Sequence, residues 1–289
     1  MRKMTIAVLA AGILCLISAS AERRTFDSSD WQAFDKETIR KTLTFPDTSG
    51  RIRVQVDNIF GFIEVAGTSG NEVQLVVTKT IKARTKSRAE KAKEEVVLDI
   101  TEEDNIIDIY VNGPFRCRNE RKNRWDPGYK VIHNFELKIP QRADVFLKTV
   151  TDGHITVKNV QGNFDVRNVN GRITMEEMGG SGDAHTVNGK VHILFSRNPD
   201  SDCSFKTVNG DLDLFFPDGL SADFYLKTFN GEAYSDFPAT LLPYKMAKTE
   251  KKNGKYVYKS TRFSRVRIGG GGPEIKMDTL NGDLLINKK

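Results

Sequence analysis

Hydrophobic and polar positions alternate through the C-terminal half of the chain in a register set by glycine. Gly153, Gly162, Gly171, Gly180 and Gly189 fall nine residues apart, and Gly210, Gly231 and Gly282 continue the register at wider spacing. With glycine as position zero, position +2 is Ile155, Phe164, Ile173, Val191, Leu212 and Leu284, and position +4 is Val157, Val166, Met175, Ile193, Leu214 and Ile286. Position −2 is also apolar, with Val160, Val169, Met178, Val187, Val208, Phe229 and Leu280. Polar residues such as His154, Thr156, Asp165, Arg172, Lys190 and His192 lie between them, so the units read as short strands with one inward face.

Four units read Thr-x-Asn-Gly, at Thr186–Gly189, Thr207–Gly210, Thr228–Gly231 and Thr279–Gly282, and Asn168–Gly171 is a near copy. A two-residue Asn-Gly hairpin would pair position −2 with +1, setting Val187 against Lys190, and a half-buried ribbon is not built that way. The expectation is therefore that Asn-Gly lies within a strand or at its bend, with glycine inward. Three steps separate +4 of one unit from −2 of the next, so the corner is expected there. Stacked units of this kind predict an all-β fold, a β-solenoid or β-roll of short repeated Asn-Gly strand units. Two units would make an 18-residue turn, and the 21-residue spacings to Gly210 and Gly231 would be single turns with insertions.

Asn58 to Val65 repeats the register once in the N-terminal half. Val73 to Ile81, Val96 to Val111 and Val131 to Pro140 read as strands, and the charged, alanine-bearing stretch Lys86 to Glu95 as one short helix. Residues 1–21 carry Arg2 and Lys3, an apolar run and Ala19-Ser20-Ala21, the pattern of a signal peptide cleaved after Ala21. Cys15 follows Leu14 rather than a small residue, so lipid attachment is not expected. The expected organisation is one domain over 22–289, irregular over 22–148 and regular over 149–289. The mature chain has no further membrane-length apolar stretch, which points to the periplasm or the cell exterior.

Loss of Arg2 and Lys3 leaves 42 basic against 38 acidic residues, too small an excess to imply nucleic acid. Cys117 and Cys203 could form a disulfide in an oxidising compartment. The four histidines lack metal spacing, no Gly-x-Ser-x-Gly elbow is present, and Gly269 to Gly272 lacks the lysine of a phosphate loop, so neither metal nor cofactor is expected. Asn170, Asn188, Asn209, Asn230 and Asn281 are expected to stack as a structural amide ladder. An 18-residue turn would align His154, Arg172 and Lys190 as a basic column for an anionic ligand, with Asp165 and Asp183 on the other face. The Arg-rich loop around Trp125 is a second candidate, and the strand near Leu284 to Ile286 is expected to be an exposed edge.

Several of these segments together resemble the DUF4097 family of bacterial proteins, labelled adhesins and related to the head-GIN adhesins. The resemblance lies in Val56-Asp57-Asn58 through Val65, Lys138-Ile139-Pro140, the Thr-Val-Asn-Gly units, Ile268-Gly269-Gly270-Gly271-Gly272 and Asp278 through Leu284, and spans about residues 38–289. It implies an exported β-helical envelope protein with no catalytic residues to carry over. The expected function is non-enzymatic, an interaction or adhesion surface for an envelope glycan or protein. The alternatives are a polysaccharide lyase or hydrolase using paired carboxylates such as Asp211 and Asp213, or an envelope-stress component acting through a protein partner.

Overall fold

A computed structural model of the chain describes residues 31, 33–47, 49–116, 127–243, 249–252, 255–258 and 263–289. Residues 1–21, Cys117 and Trp125 lie outside the described residues, and Trp31–Lys289 forms one compact unit. The fold is nearly all β, with two large sheets.

In chain order, β1 (Ala33–Thr44), β2 (Arg53–Asp57), β3 (Ile63–Thr68) and β4 (Glu72–Ala83) precede helix α1 (Lys86–Glu95). The helix spans the predicted residues: Thr85 Oγ1 caps it by accepting from Arg88 N, and Ala89 and Ala92 are buried beneath it. Next come β5 (Val97–Glu103), β6 (Ile106–Asn112) and β7 (Tyr129–Pro140). Asp104 and Asn105, both at positive φ (49° and 60°), close the tight β5–β6 hairpin.

The regular part follows as β8 (Asp144–Lys148), β9 (Ile155–Lys158), β10 (Phe164–Arg167), β11 (Ile173–Met178), β12 (Gly182–His185), β13 (Val191–Phe195), β14 (Cys203–Lys206) and β15 (Leu212–Phe216). The C-terminal strands are β16 (Ala222–Lys227), β17 (Ala233–Ser235), β18 (Ala239–Leu241), β19 (Thr249–Lys252), β20 (Lys255–Tyr258), β21 (Ser264–Ile268), β22 (Glu274–Asp278) and β23 (Leu284–Lys288). One sheet runs β1-β4-β7-β3-β9-β11-β13-β15-β23-β17 and the other β18-β21-β16-β22-β14-β12-β10-β8-β2-β6-β5. From β8 to β17 consecutive strands alternate between sheets; within each sheet those up to β15 pair in parallel with like residues in register, and β22 and β23 continue the pairing, as in Ile155↔Ile173↔Val191↔Leu212↔Leu284. We call one strand from each sheet, with the corner joining them, a rung. Neither sheet closes on itself.

The +2 and +4 side chains form the core between the sheets: Ile155, Val157, Phe164, Val166, Ile173, Met175, Leu212 and Leu214 are buried. Phe195 and Phe216 stack there with ring centroids 5.0 Å apart and planes 9° apart. Burial of so many apolar side chains is the main stabilising term, at roughly 1.5–3 kcal/mol for each large one.

Three sequence expectations are corrected. Asn-Gly does not lie within a strand: Asn188-Gly189 joins β12 of one sheet to β13 of the other, so the glycine is the corner. A corner between +4 of one unit and −2 of the next would require position −2 to point inward, and at the Asn-Gly corners it does not. In the Thr-x-Asn-Gly units the threonine at −3 is the inward residue, with Thr186 at 4%, Thr207 at 1% and Thr279 at 2% exposure, against 38% for Val187, 46% for Leu280 and 78% for Phe229. Position −2 is buried at the opposite corner, where Val160 and Met178 are fully enclosed.

The second correction concerns order. The rung of Gly231 does not follow that of Gly210 in space, because β22 and β23 insert between them, β22 between β14 and β16, and β23 between β15 and β17. The third follows from it. Leu284 and Ile286 lie on an interior strand and are buried, so they form no exposed edge.

Candidate functional site

The Asn-Gly corner is built from backbone outward. Each glycine packs on the carbonyl of the previous rung: a Cβ at Gly210 would lie 2.2 Å from Gly189 O, and one at Gly282 2.0 Å from Gly210 O. Only glycine permits that approach. The inward threonine at −3 then donates to the same row of carbonyls, Thr186 to Gly171 at 2.9 Å, Thr207 to Gly189 at 2.9 Å, Thr279 to Gly210 at 3.1 Å and Thr228 to Gly282 at 2.9 Å. Asn58 and Asn168 fill this position in earlier rungs, donating to Gly61 O and Gly153 O. Sequence reasoning missed this buried polar row, although the constancy of Thr or Asn at −3 was the signal for it.

One position before glycine, the asparagines stack. Asn188 Nδ2 donates to Asn170 Oδ1 at 2.8 Å, Asn209 to Asn188, Asn281 to Asn209 and Asn230 to Asn281, each of the last three at 2.7 Å. The spatial order is therefore 170, 188, 209, 281, 230, with the last two exchanged relative to the chain.

One position after glycine runs the charged column. Backbone bonds from Ile155 N to Arg172 O, Ile173 N to Lys190 O, Val191 N to Asp211 O, Leu212 N to Asp283 O and Leu284 N to Glu232 O place His154, Arg172 and Lys190 in line with Asp211, Asp283 and Glu232. The column is basic over its first three rungs and acidic over its last three. His154 stacks on Phe62 at 5.3 Å and meets Glu64 Oε1 at 3.1 Å. Lys190 Nζ lies 2.8 Å from Asp213 Oδ2, and Arg172 has no ion-pair partner among the described residues.

Asp211 and Asp213 are each engaged. Asp211 Oδ1 accepts from Asp283 N at 3.0 Å, while Asp213 takes Lys190, His192 Nδ1 at 2.9 Å and Asn287 Nδ2 at 2.6 Å. Burial acts to raise the Asp213 pKa, but the hydrogen bonds from Lys190 and His192 outweigh it and hold the carboxyl below its ordinary 3.8.

The other sheet carries a polar row that the sequence reading did not single out, Lys148, Arg167, His185 and Lys206, in register through β8, β10, β12 and β14. Asp165 and Asp183 pair in register beside it, and Arg167 grips Asp165 with two bonds of 2.8 Å. Where this row meets β2 and β6, a shallow groove of about 320 Å³ is lined by Asp57, Asp108, Tyr110, Phe146, Lys148 and Arg167. Arg116, from the predicted Arg-rich loop, binds Asp57 at 2.8 Å and covers the Tyr110 ring at 4.3 Å. Arg53 covers Phe146, also at 4.3 Å. Burial, then the nearby Asp57 charge, raises the Asp108 pKa above its ordinary 3.8.

Two groups lie in the interior. Cys203 is a buried free thiol, pushed up to about 11 by burial, and its expected partner Cys117 lies outside the described residues. His133 is fully buried with neither ring nitrogen hydrogen-bonded among the described residues, and burial pushes its pKa down to about 4. Among the described residues no cluster of His, Cys, Asp or Glu has the makings of a metal site, and no helix is long and apolar enough to cross a membrane.

No family model matches the chain, and no curated protein matches it. Solved structures similar to it include the following three. The first is described as a putative cell adhesion protein from Clostridium sporogenes, with TM-score 0.42 and 9% identity over 88% of this chain and 100% of that one. The second is a putative adhesin from Bacteroides fragilis, with TM-score 0.38 and 10% identity over 88% and 97%. The third is a putative lipid binding protein from Parabacteroides distasonis, with TM-score 0.28 and 11% identity over 88% and 97%. TM-scores of this size do not establish a shared fold.

Proposed function

We propose that this chain is a non-enzymatic, exported protein of the cell envelope whose rungs make an open β-solenoid of the DUF4097 kind, and whose outer faces form an interaction or adhesion surface. The observation that carries this reading is the regular outer grid at the corner. Parallel strands in register repeat polar groups about every 4.7–4.9 Å, and Arg172 stands in that grid without an ion-pair partner among the described residues. Asp211 and Asp213, the carboxylates that would serve acid–base chemistry, are instead tied to the backbone of the next rung and to Lys190, His192 and Asn287. A rigid row with an uncompensated cation suits an anionic envelope glycan or an acidic protein surface better than it suits hydrolysis.

The test is binding of the purified chain to envelope fractions and a glycan panel at low and high salt, beside the His154, Arg172 and Lys190 triple alanine variant. Saturable, salt-sensitive binding that weakens in the variant is expected. Absence of binding to every fraction and glycan would overturn the adhesive reading.

A further inference from the structure

We propose that the Asn-Gly corner is a self-complementary interface through which two copies of this chain pair antiparallel. The proposal rests on reading the outer surface as an interaction surface, and it names the partner for one strip of that surface. Three rows meet there. The first is apolar and faces solvent: backbone bonds from Asn188 N to Val169 O, Asn209 N to Val187 O, Asn281 N to Val208 O and Asn230 N to Leu280 O stack these residues. The row extends to Phe229, and Val187, Leu280 and Phe229 keep 38%, 46% and 78% of their surfaces exposed. Such a continuous apolar ridge on a soluble surface marks a contact site. The second row is the amide ladder. The third is the charged column, basic at His154, Arg172 and Lys190 and acidic at Asp211, Asp283 and Glu232.

The sign reversal along the third row selects the partner. A two-fold axis lying in the contact plane, perpendicular to the stack and midway between the rungs of Gly189 and Gly210, reverses the stack but keeps each flank facing its own kind. Lys190 then meets Asp211 of the second copy, Arg172 meets Asp283 and His154 meets Glu232, while Val187 lies on Val208 and Val169 on Leu280. Asp211, Asp283 and Glu232 have no cation partner within the chain among the described residues, as Arg172 has no anion. Lys190 and His154 already hold Asp213 and Glu64 of their own chain, so Arg172 with Asp283 is the pair in which both charges are new. On the other flank of the ridge Arg167 meets Asp278, His185 meets Lys206, and the like-charged Lys148 and Lys227 face each other while each holds a carboxylate, Asp57 at 3.3 Å and Asp278 at 3.4 Å. A parallel pairing would lose the match, because it sets the charged column against this flank. The column spans five rung intervals, about 24 Å, so the strip is small and the pairing weak and transient.

The test is sedimentation velocity of the full chain under reducing conditions, from about 1 µM to about 1 mM, with circular dichroism to confirm folding of each variant. A monomer–dimer equilibrium weakened by salt is expected. Arg172→Glu and Asp283→Lys should each weaken it about tenfold or more, and the mixture of the two variants should restore it. Phe229→Ser, a change at an exposed site that does not disturb the charges, should also weaken it. A chain that stays monomeric throughout, a dimer indifferent to Arg172→Glu and Asp283→Lys, or a mixture that fails to restore pairing would overturn the proposal. A monomer that still binds the glycan panel through Arg172 would sink the dimer and leave the adhesive reading standing. A dimer that binds no glycan or fraction would do the reverse.

Discussion

Asn281 donates its side-chain amide to Asn209 Oδ1 at 2.7 Å although 72 residues separate the two in sequence. Asn209 in turn donates to Asn188, which makes it an interior member of the ladder, whereas Asn230 only donates, to Asn281, at the ladder's end. An exposed hydrogen bond contributes about 0.5–1.5 kcal/mol. Asn209→Ala should therefore lower the urea unfolding free energy by about twice as much as Asn230→Ala, without any ligand present. Equal losses would show that the ladder contributes nothing beyond the local corner.

Gly210→Ala places a Cβ 2.2 Å from Gly189 O, in a stack of backbone that cannot shift without breaking the register of both sheets. The expected cost is at least about 2 kcal/mol. Gly70→Ala, where the nearest atom is Thr68 Oγ1 at 3.7 Å, should change stability by less than about 0.5 kcal/mol. Thermal or urea unfolding of the pair measures the difference.

Thr207→Val removes the buried donor to Gly189 O and should destabilise by about 1–2 kcal/mol despite the gain in apolar character. Val187→Thr, at a position 38% exposed, should stay within about 0.5 kcal/mol. The opposite ranking would return position −2 to the core.

His133 ties stability to pH. Its folded pKa is depressed to about 4 by burial, with Lys79 adding to the effect, while the unfolded imidazole titrates near its ordinary 6.5. The unfolded chain therefore binds the proton first. The stability from a neutral His133 is complete above about pH 6.5 and is lost as pH falls towards 4, by about 3 kcal/mol in all. His133→Phe, which can keep the stacking on Phe135, should flatten this part of the profile of unfolding free energy against pH.

The strands and the helix at Lys86–Glu95 were legible because their signals are local: apolar alternation for the strands, and a charged, alanine-bearing stretch for the helix. The glycine period also led directly to the 18-residue pairing of Ile155 with Ile173 and Ile173 with Val191. At the corner, however, alternation breaks down, because a chain passing from one sheet to the other need not keep period two. Hydrophobicity then pointed to Val187, where hydrogen bonding chose Thr186. Of the corner itself, the sequence suggested that the asparagines stack and that His154, Arg172 and Lys190 share a column. It did not suggest that Asp211, Asp283 and Glu232 extend that column, since this depends on which rungs are neighbours. The row from Lys148 to Lys206 escaped notice because its members stand four or five residues before the glycines, outside the −2 to +4 positions on which the register was read.

The insertion of β22 and β23 into the middle of both sheets also sets an order of assembly. Strands β16 and β17 leave the ribosome, and any export channel, before the strands they pair with. Rungs up to β15 can add one upon another as the chain emerges, but the segment from Ala222 to Leu241 must wait, its apolar edges open, until Glu274 to Lys288 arrives and slots in beside it. Growth that is otherwise sequential ends with a closing step made from the last residues, and contacts of such long sequence separation form slowly. During that wait the unfinished end is most open to proteases and chaperones.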